Sequence, residues 1–186
     1  MPTPAKLTTA VSDMEAAYTS TATLANPDFL NFNGGILGNE TLASGLYKWS
    51  SAVTITDSLT MDGGGDVNAV WIFQIDNRLN FGTGSEILLS NGARSENIFW
   101  QTAEGVTLGT NSHFEGIVLT ATDVAFQSGA TMNGRLFAQT SVTLESNNIA
   151  APVPEPSTYA AIMGLSVIGL LLIRRPSSMR GSFKSV

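Results

Sequence analysis

Residues 106–144 read VTLGTNSHFEGIVLTATDVAFQSGATMNGRLFAQTSVTL. Sliding this stretch along itself by eighteen residues places Val106-Thr107-Leu108 on Val124-Ala125-Phe126 and then on Val142-Thr143-Leu144. The same shift carries Gly116 onto Gly134 and Trp100 onto Val118 and Leu136. A second shift, of twenty-seven, places Phe73-Gln74 on Trp100-Gln101, Leu79 on Val106, Phe81 on Leu108 and Gly82-Thr83 on Gly109-Thr110. A fixed period of this size is the mark of a repeat architecture. Eighteen residues shared among three sides give about six per side, close to an ordinary strand. One repeat is therefore expected to form one turn of a triangular β-solenoid. Val106, Val124 and Val142 would make one inward stack, and Leu108, Phe126 and Leu144 another. A β-sandwich with coincidental strand spacing is the competing fold.

The rest of the chain fits around this core. From Phe29 to Ile149, short β-branched and aromatic runs alternate with NGG, DGGGD, GTG, NGA and SGA turns. Trp71-Ile72-Phe73, Ile98-Phe99-Trp100 and Ile117-Val118-Leu119 are apolar at consecutive positions, as in strands covered on both faces. Upstream, Leu7, Val11, Met14 and Tyr18 recur at helical spacing, with Ala10, Ala17 and Thr21 beside them and Asp13 and Glu15 facing away. Asn26-Pro27 ends the helix, because the residue before proline avoids helical angles. The helix is expected to lie along the doubly apolar side of the solenoid.

The 186 residues fit one domain of ordinary size. Up to Ser157 there are five basic and fifteen acidic residues, a charge of −10, whereas Thr158 onward carries four basic residues and no acid. Such an acidic body disfavours nucleic acid as a partner. With no cysteine, disulfides, thiolate catalysis and cysteine zinc sites are excluded. With one histidine, so are histidine-rich metal sites. No cofactor is indicated.

Residues 150–158 form a proline-rich extended linker, AAPVPEPST from Ala150 to Thr158. Tyr159 to Ile173 is uncharged, then come Arg174 and Arg175 and a basic tail, residues 176–186. Fifteen apolar residues fall just short of a comfortable bilayer crossing of about 20, and the arginine pair supplies a cytoplasmic stop. V-P-E-P-S-T, the short apolar segment and the arginine pair together resemble the PEP-CTERM sorting signal of Gram-negative bacteria. That resemblance implies export, transient inner-membrane anchoring through residues 159–173, and processing by an exosortase-type enzyme that recognises Pro154, Glu155 and Pro156. The body would then sit on the cell surface or outside the cell.

The stretches at 37–75 (LGNETLASGLYKWSSAVTITDSLTMDGGGDVNAVWIFQI), 97–119 (NIFWQTAEGVTLGTNSHFEGIVL) and 128–147 (SGATMNGRLFAQTSVTLESN) resemble the ice-binding-protein-like family of antifreeze β-solenoids. The family implies a right-handed triangular β-helix flanked by a long α-helix. It sets residues 1–149 as the domain, with the helix over about 7–25 and the solenoid over 29–149. Residues 159–175 then form an apolar helix with its arginine stop. Family members usually carry a secretion signal and several strands before the helix, and no signal peptide is visible after Met1. The expectation is a truncated gene, a misassigned start or a trimmed sequence. Missing strands would leave one end of the solenoid with an unpaired edge.

Ice adsorption needs a stiff, regular face and no catalytic group. Threonine suits it, since a β-branched side chain holds methyl and hydroxyl in fixed places. Two columns qualify. One is the outward middle residue of the alternating strands: Thr54, Asn80, Thr107, Ala125 and Thr143. The other precedes those strands: Thr102, Thr120, Thr122 and Thr140. Elsewhere, Asp62-Gly63-Gly64-Gly65-Asp66 with Asn68 reads as a turn before a calcium loop, since the full calcium spacing is missing. His113 has no serine or carboxylate arrangement of nucleophilic type legible around it, so it reads as a structural histidine before a catalytic base. Among Glu86, Glu96, Glu104 and Glu115, no spacing singles out a glycosidase pair. The chain is expected to be a non-enzymatic protein whose partner is an ice crystal surface. The alternative is a surface or matrix protein using the same face for adhesion or polysaccharide contact.

Overall fold

A computed structural model of the chain describes residues 4–151. Within its first compact unit, Met1–Pro152, the described residues form one α-helix, two short 3-10 helices and sixteen strands in three parallel sheets. The sheets are the three sides of a solenoid. Face A stacks β1 (Phe29–Leu30), β4 (Gly45–Trp49), β7 (Trp71–Ile75), β10 (Ile98–Thr102), and the second halves of β12 (His113–Thr120) and β14 (Thr131–Ala138). Face B stacks β2 (Ile36–Leu37), β5 (Val53–Ile55), β8 (Leu79–Phe81), β11 (Val106–Leu108), β13 (Asp123–Phe126) and β15 (Ser141–Leu144). Face C holds β3 (Glu40–Ala43), β6 (Leu59–Asp62) and β9 (Ile87–Ser90). A bridge from Glu86 to His113 continues it into the first halves of β12 and β14, and β16 (Asn148–Ala150) ends it.

Strand pairing follows the internal repeat. Val106 pairs with Val124 and Val124 with Val142, eighteen residues apart. Leu79 pairs with Val106 and Phe73 with Trp100, twenty-seven apart, while the preceding coil is shorter by one residue, with Val53 on Leu79. The extra residues of the long coils fall at the corner between faces C and A, in the segments Gly63–Val70 and Asn91–Asn97. These loops stack as the strands do: Gly63 and Gly65 donate to the carbonyls of Ser90 and Asn91, 3.1 and 2.8 Å.

Inside, each pairing puts like on like. Phe29, Tyr47, Phe73 and Trp100 form an aromatic column behind face A, with ring centroids 4.3, 5.2 and 4.0 Å apart. Val118 and Leu136 continue it. The indole N–H groups of Trp49, Trp71 and Trp100 donate to the carbonyls of Phe32, Leu42 and Glu115, so no buried donor is left unpaired there. Burial pushes the Tyr47 hydroxyl up to about 12, with the Asp28 charge adding to it; the hydroxyl donates to the Ala43 carbonyl.

Helix α1 (Pro4–Ala22) lies along face A against β7, β10 and β12, the side on which the consecutive apolar runs fall. It ends three residues before the expected boundary at Ala25. Thr21 and Thr23 turn their hydroxyls back onto the carbonyls of Ala17 and Thr19, and the buried Gln74 amide donates to the carbonyls of Thr21 and Leu24. The buried stripe is narrower than the expected one. Met14, Tyr18 and Thr21 are half-buried, but Val11 is 56% exposed, and the exposed Asp13 stands at a groove that Leu119 and Phe137 also line. The side chain of Leu7 lies outside the described part.

At Gly116 the chain turns from face C to face A with φ +117°, and an added Cβ would stand 2.8 Å from the Ile98 carbonyl oxygen. A side chain there combines a disfavoured backbone conformation with a backbone clash. Gly116→Ala should therefore lower unfolding free energy by about 1–3 kcal/mol, read by urea denaturation. An unchanged midpoint would contradict the corner geometry.

Candidate functional site

The three faces differ in what covers them. Face A lies under the helix. Face C carries the two corner loops at its junction with face A. The Ser95 hydroxyl pins the second loop by donating to the Asn133 carbonyl and accepting from the Gly116 N–H. Among the described residues, face B carries neither α-helix nor inserted loop.

Each face-B strand points its flanking residues inward and its middle residue out. Val53 and Ile55, Leu79 and Phe81, Val106 and Leu108, and Val124 and Phe126 are buried, while Thr54, Asn80, Thr107 and Ala125 between them are partly exposed. Thr54 pairs with Asn80, Asn80 with Thr107, Thr107 with Ala125 and Ala125 with Thr143. The first predicted column is therefore one uninterrupted ladder, each residue directly beside the next. It extends one coil further than the sequence suggested, to Ile36, which pairs with Thr54 and is 68% exposed. The eighteen-residue shift from Thr54 was the signal that could have found it.

Glycines keep the margin of this ladder low. Beside Asn80 and Thr107, a Cβ on Gly109 would come within 2.6 Å of the Gly82 and Thr83 backbone, and one on Gly105 within 2.8 Å of an Asp123 carboxylate oxygen. At Gly109 no side chain can rise without displacing the neighbouring coil, and at Gly105 one would have to push the Asp123 side chain aside. The repeated Gly82-Thr83 and Gly109-Thr110 pairs were visible in the sequence, but their role beside the ladder was not.

The second predicted column does not exist as a surface. Thr102 and Thr120 pair with each other but stand in an inward row with Ile75, and both are fully buried. Their hydroxyls donate to the same Glu104 carbonyl, at 2.6 and 2.7 Å. Thr122 and Thr140 sit on the turns between faces A and B, joined by a Thr140 N–H bond to the Thr122 carbonyl. The column fails because a strand of face A ends on an inward residue before the corner, so its last threonine closes the core.

The other candidates resolve into local structure. Asp62 accepts from the Gly64 N–H and the Asn91 amide, both 2.9 Å, and these bonds hold its carboxyl below the usual range, the Gly64 bond contributing most. Asp66 accepts from the Asn68 N–H at 2.8 Å. Both carboxylates thus serve the turn. Among the described residues no group of three or more His, Cys, Asp and Glu could hold a metal ion. His113 is tied into the structure by two partners: Nδ1 lies 2.9 Å from the Thr131 hydroxyl and Nε2 lies 2.9 Å from a Glu115 carboxylate oxygen. Thr131 reaches it only through the eighteen-residue stacking of β14 on β12. Glu96 is paired with Arg94 and Glu104 with Asn77, so these glutamates serve separate partners. The sorting motif Pro154, Glu155 and Pro156, the apolar segment 159–173, and Arg174 and Arg175 lie outside the described residues. Among the described residues, no helix is long and apolar enough to cross a membrane.

The sequence profile of the ice-binding-like family matches residues 1–150, and that of the PEP-CTERM protein-sorting motif matches residues 152–175. An ice-binding protein of Flavobacterium frigoris is 48% identical over 147 residues, covering 79% of this chain and 52% of that protein. One from Leucosporidium sp. is 42% identical, covering 83% and 59%. Among solved structures, an Arctic yeast ice-binding protein with antifreeze activity superposes with TM-score 0.79 at 42% identity, over 84% of this chain and 67% of that one. A Shewanella frigidimarina ice-binding domain superposes with TM-score 0.75 at 38% identity, over 82% and 68%. The chain thus spans little more than half the length of these two curated relatives.

The two kinds of threonine should separate in a stability measurement. Thr120→Val removes a buried hydrogen bond and should lower unfolding free energy by about 1–2 kcal/mol, whereas Thr107→Val should stay within about 0.5 kcal/mol. Equal losses in paired urea titrations would contradict the inward and outward assignment.

Proposed function

The chain belongs to the ice-binding-like family, and from that membership we propose that it adsorbs to ice through the ladder Thr54, Asn80, Thr107, Ala125 and Thr143 on face B. The observation that carries this proposal is the direct register of the five residues on the side that, among the described residues, bears no α-helix or inserted loop. Adjacent coils repeat at about 4.7–4.9 Å, so the outward groups stand at a regular spacing. The backbones of Thr54, Asn80, Thr107 and Ala125 are locked by parallel pairing on both sides and that of Thr143 on one, and threonine adds a stiff side chain. Water held over such a row is ordered in advance and joins the crystal without the protein having to rearrange. No covalent step is involved, and the protein acts without catalysis. Right-handed winding, the rule for parallel strands joined by crossovers, belongs to the same proposal.

The C-terminal sorting motif supports placement at the cell surface. An exosortase-type enzyme would recognise Pro154, Glu155 and Pro156 while residues 159–173 are held in the inner membrane with Arg174 and Arg175 at the cytoplasmic side. Replacing Pro154-Glu155-Pro156 by three alanines should leave the full chain unprocessed in the inner-membrane fraction. Its normal appearance at the surface would contradict this role.

The ice proposal is tested by recrystallisation inhibition with the compact unit, residues 1–152. Thr107→Tyr should abolish inhibition with an unchanged melting curve, because a bulky ring lifts the face away from the crystal. Thr60→Tyr, on face C, should leave it intact. Inhibition that survives Thr107→Tyr would remove face B, and glycan binding by a folded protein without ice activity would favour an adhesion role.

A further inference from the structure

Three Asn-Gly pairs occur in the sequence: Asn33-Gly34, Asn91-Gly92 and Asn133-Gly134. Such a pair is chemically labile, because a glycine has no side chain to keep its backbone nitrogen from the amide carbon of the asparagine before it. The fold treats the three differently. Asn133-Gly134 lies inside β14, in register with Glu115 and Gly116 of β12. Gly134 is buried, and the Ser95 hydroxyl donates to the carbonyl of Asn133. An extended backbone held in this way cannot close on its own side chain. Asn33-Gly34 is exposed, but its attacking group is engaged, since the Gly34 N–H donates to the Asn31 carbonyl at 3.0 Å. Asn91-Gly92 is the exposed tip of the corner that follows β9. Its φ angles are 48° and 89°, and the Ala93 N–H donates to the Ser90 carbonyl at 3.0 Å, the tight two-residue turn that Asn-Gly favours. In this turn the Gly92 N–H donates to no group among the described residues.

The Asn91 amide also has a task. It donates at 2.9 Å to Asp62 Oδ1, the oxygen that accepts from the Gly64 N–H. One coil earlier, Gly64 and Gly65 make a turn of the same shape, with φ angles of 60° and 89° and the Asp66 N–H on the Gly63 carbonyl at 2.9 Å. Gly65 in turn donates to the Asn91 carbonyl at 2.8 Å. The two turns are therefore stacked through Asn91, its side chain on Asp62 and its carbonyl on Gly65.

We propose that Asn91 is a self-modification site, at which the chain converts its own asparagine to aspartate and isoaspartate and so loosens the corner between faces C and A. The Gly92 nitrogen bonds to Cγ of Asn91 and the bond from Cγ to Nδ2 breaks. The proton lost by Gly92 passes through water to the departing nitrogen, which leaves as ammonia. Water then opens the succinimide, giving its hydroxyl to one of the two carbonyl carbons and returning a proton to the Gly92 nitrogen. Opening at Cγ yields aspartate; opening at the backbone carbon yields isoaspartate. Water is the only co-reactant. Either product sets a second carboxylate against Asp62 where a donor stood, and like charges so close repel. Isoaspartate also lengthens the main chain and shifts the carbonyl that Gly65 uses. Face B takes no part in this corner, so the inference is independent of the ice proposal.

Peptide mass spectrometry of the full chain after incubation at mildly alkaline pH tests the proposal. Conversion of amide to acid should appear first at Asn91, several-fold ahead of Asn33 and Asn133. The same incubation in urea should bring the three sites to similar rates, because the reacting pair is the same and only the fold distinguishes them. A folded protein in which Asn33 or Asn133 converts as fast as Asn91, or in which Asn91 stays an amide while the unfolded chain reacts, would overturn the proposal. The loosened corner has its own readout. Asn91→Asp should lower the urea midpoint, and adding Asp62→Asn, which again sets one amide against one carboxylate, should recover most of the loss. An Asn91→Asp midpoint equal to the parent's, or a double variant no better than the single one, would overturn the link from this site to the corner.

Discussion

The structure depends on parallel, in-register stacking of one coil on the next. Each coil is too small to bury its own apolar side chains, and only the coil beside it can supply the missing contacts and backbone partners. Because the stacking is in register, whatever repeats inside also repeats outside. The Val/Leu/Phe columns that exclude water from the core and the Thr/Asn/Ala ladder on face B have one cause. A slip of one residue would turn both over together.

The faces then acquire different fates from what is attached to them. Face A is apolar on both sides because a helix covers it, and Gln74, buried beneath, closes that helix by bonding its last carbonyls. Face C carries the longer corners at its junction with face A, and Ser95 ties one of them to β12 and β14. Face B is made of the shortest regular strands, flanked by Gly82, Gly105 and Gly109, and it stays clear. The surface proposed to meet ice is thus defined as much by what the other two faces carry as by its own residues.

Much of this was legible in the sequence because register in a solenoid is a sequence period. The shifts of eighteen and twenty-seven are the observed pairings, and alternation alone put Thr54, Asn80, Thr107, Ala125 and Thr143 on the outside. The errors arose where direction depends on a corner or on a neighbouring element. Thr102 and Thr120 look like any exposed strand threonine, but the approaching corner turns them inward onto the Glu104 carbonyl. Val11 was misplaced because helical periodicity fixes a stripe only to within a part of a turn, and packing against face A decides the rest. His113 met Thr131 across coils, a pairing visible only once the eighteen-residue shift is applied to polar residues as well as apolar ones.

The central claim is that a folded solenoid with this ladder enters into contact with the crystal lattice. It is tested most directly by growing a single ice crystal into a solution of fluorescently labelled protein and viewing where the label is incorporated. Fluorescence confined to defined crystal planes is the predicted result. A crystal that grows clear, with folded protein left entirely in the liquid, would contradict it.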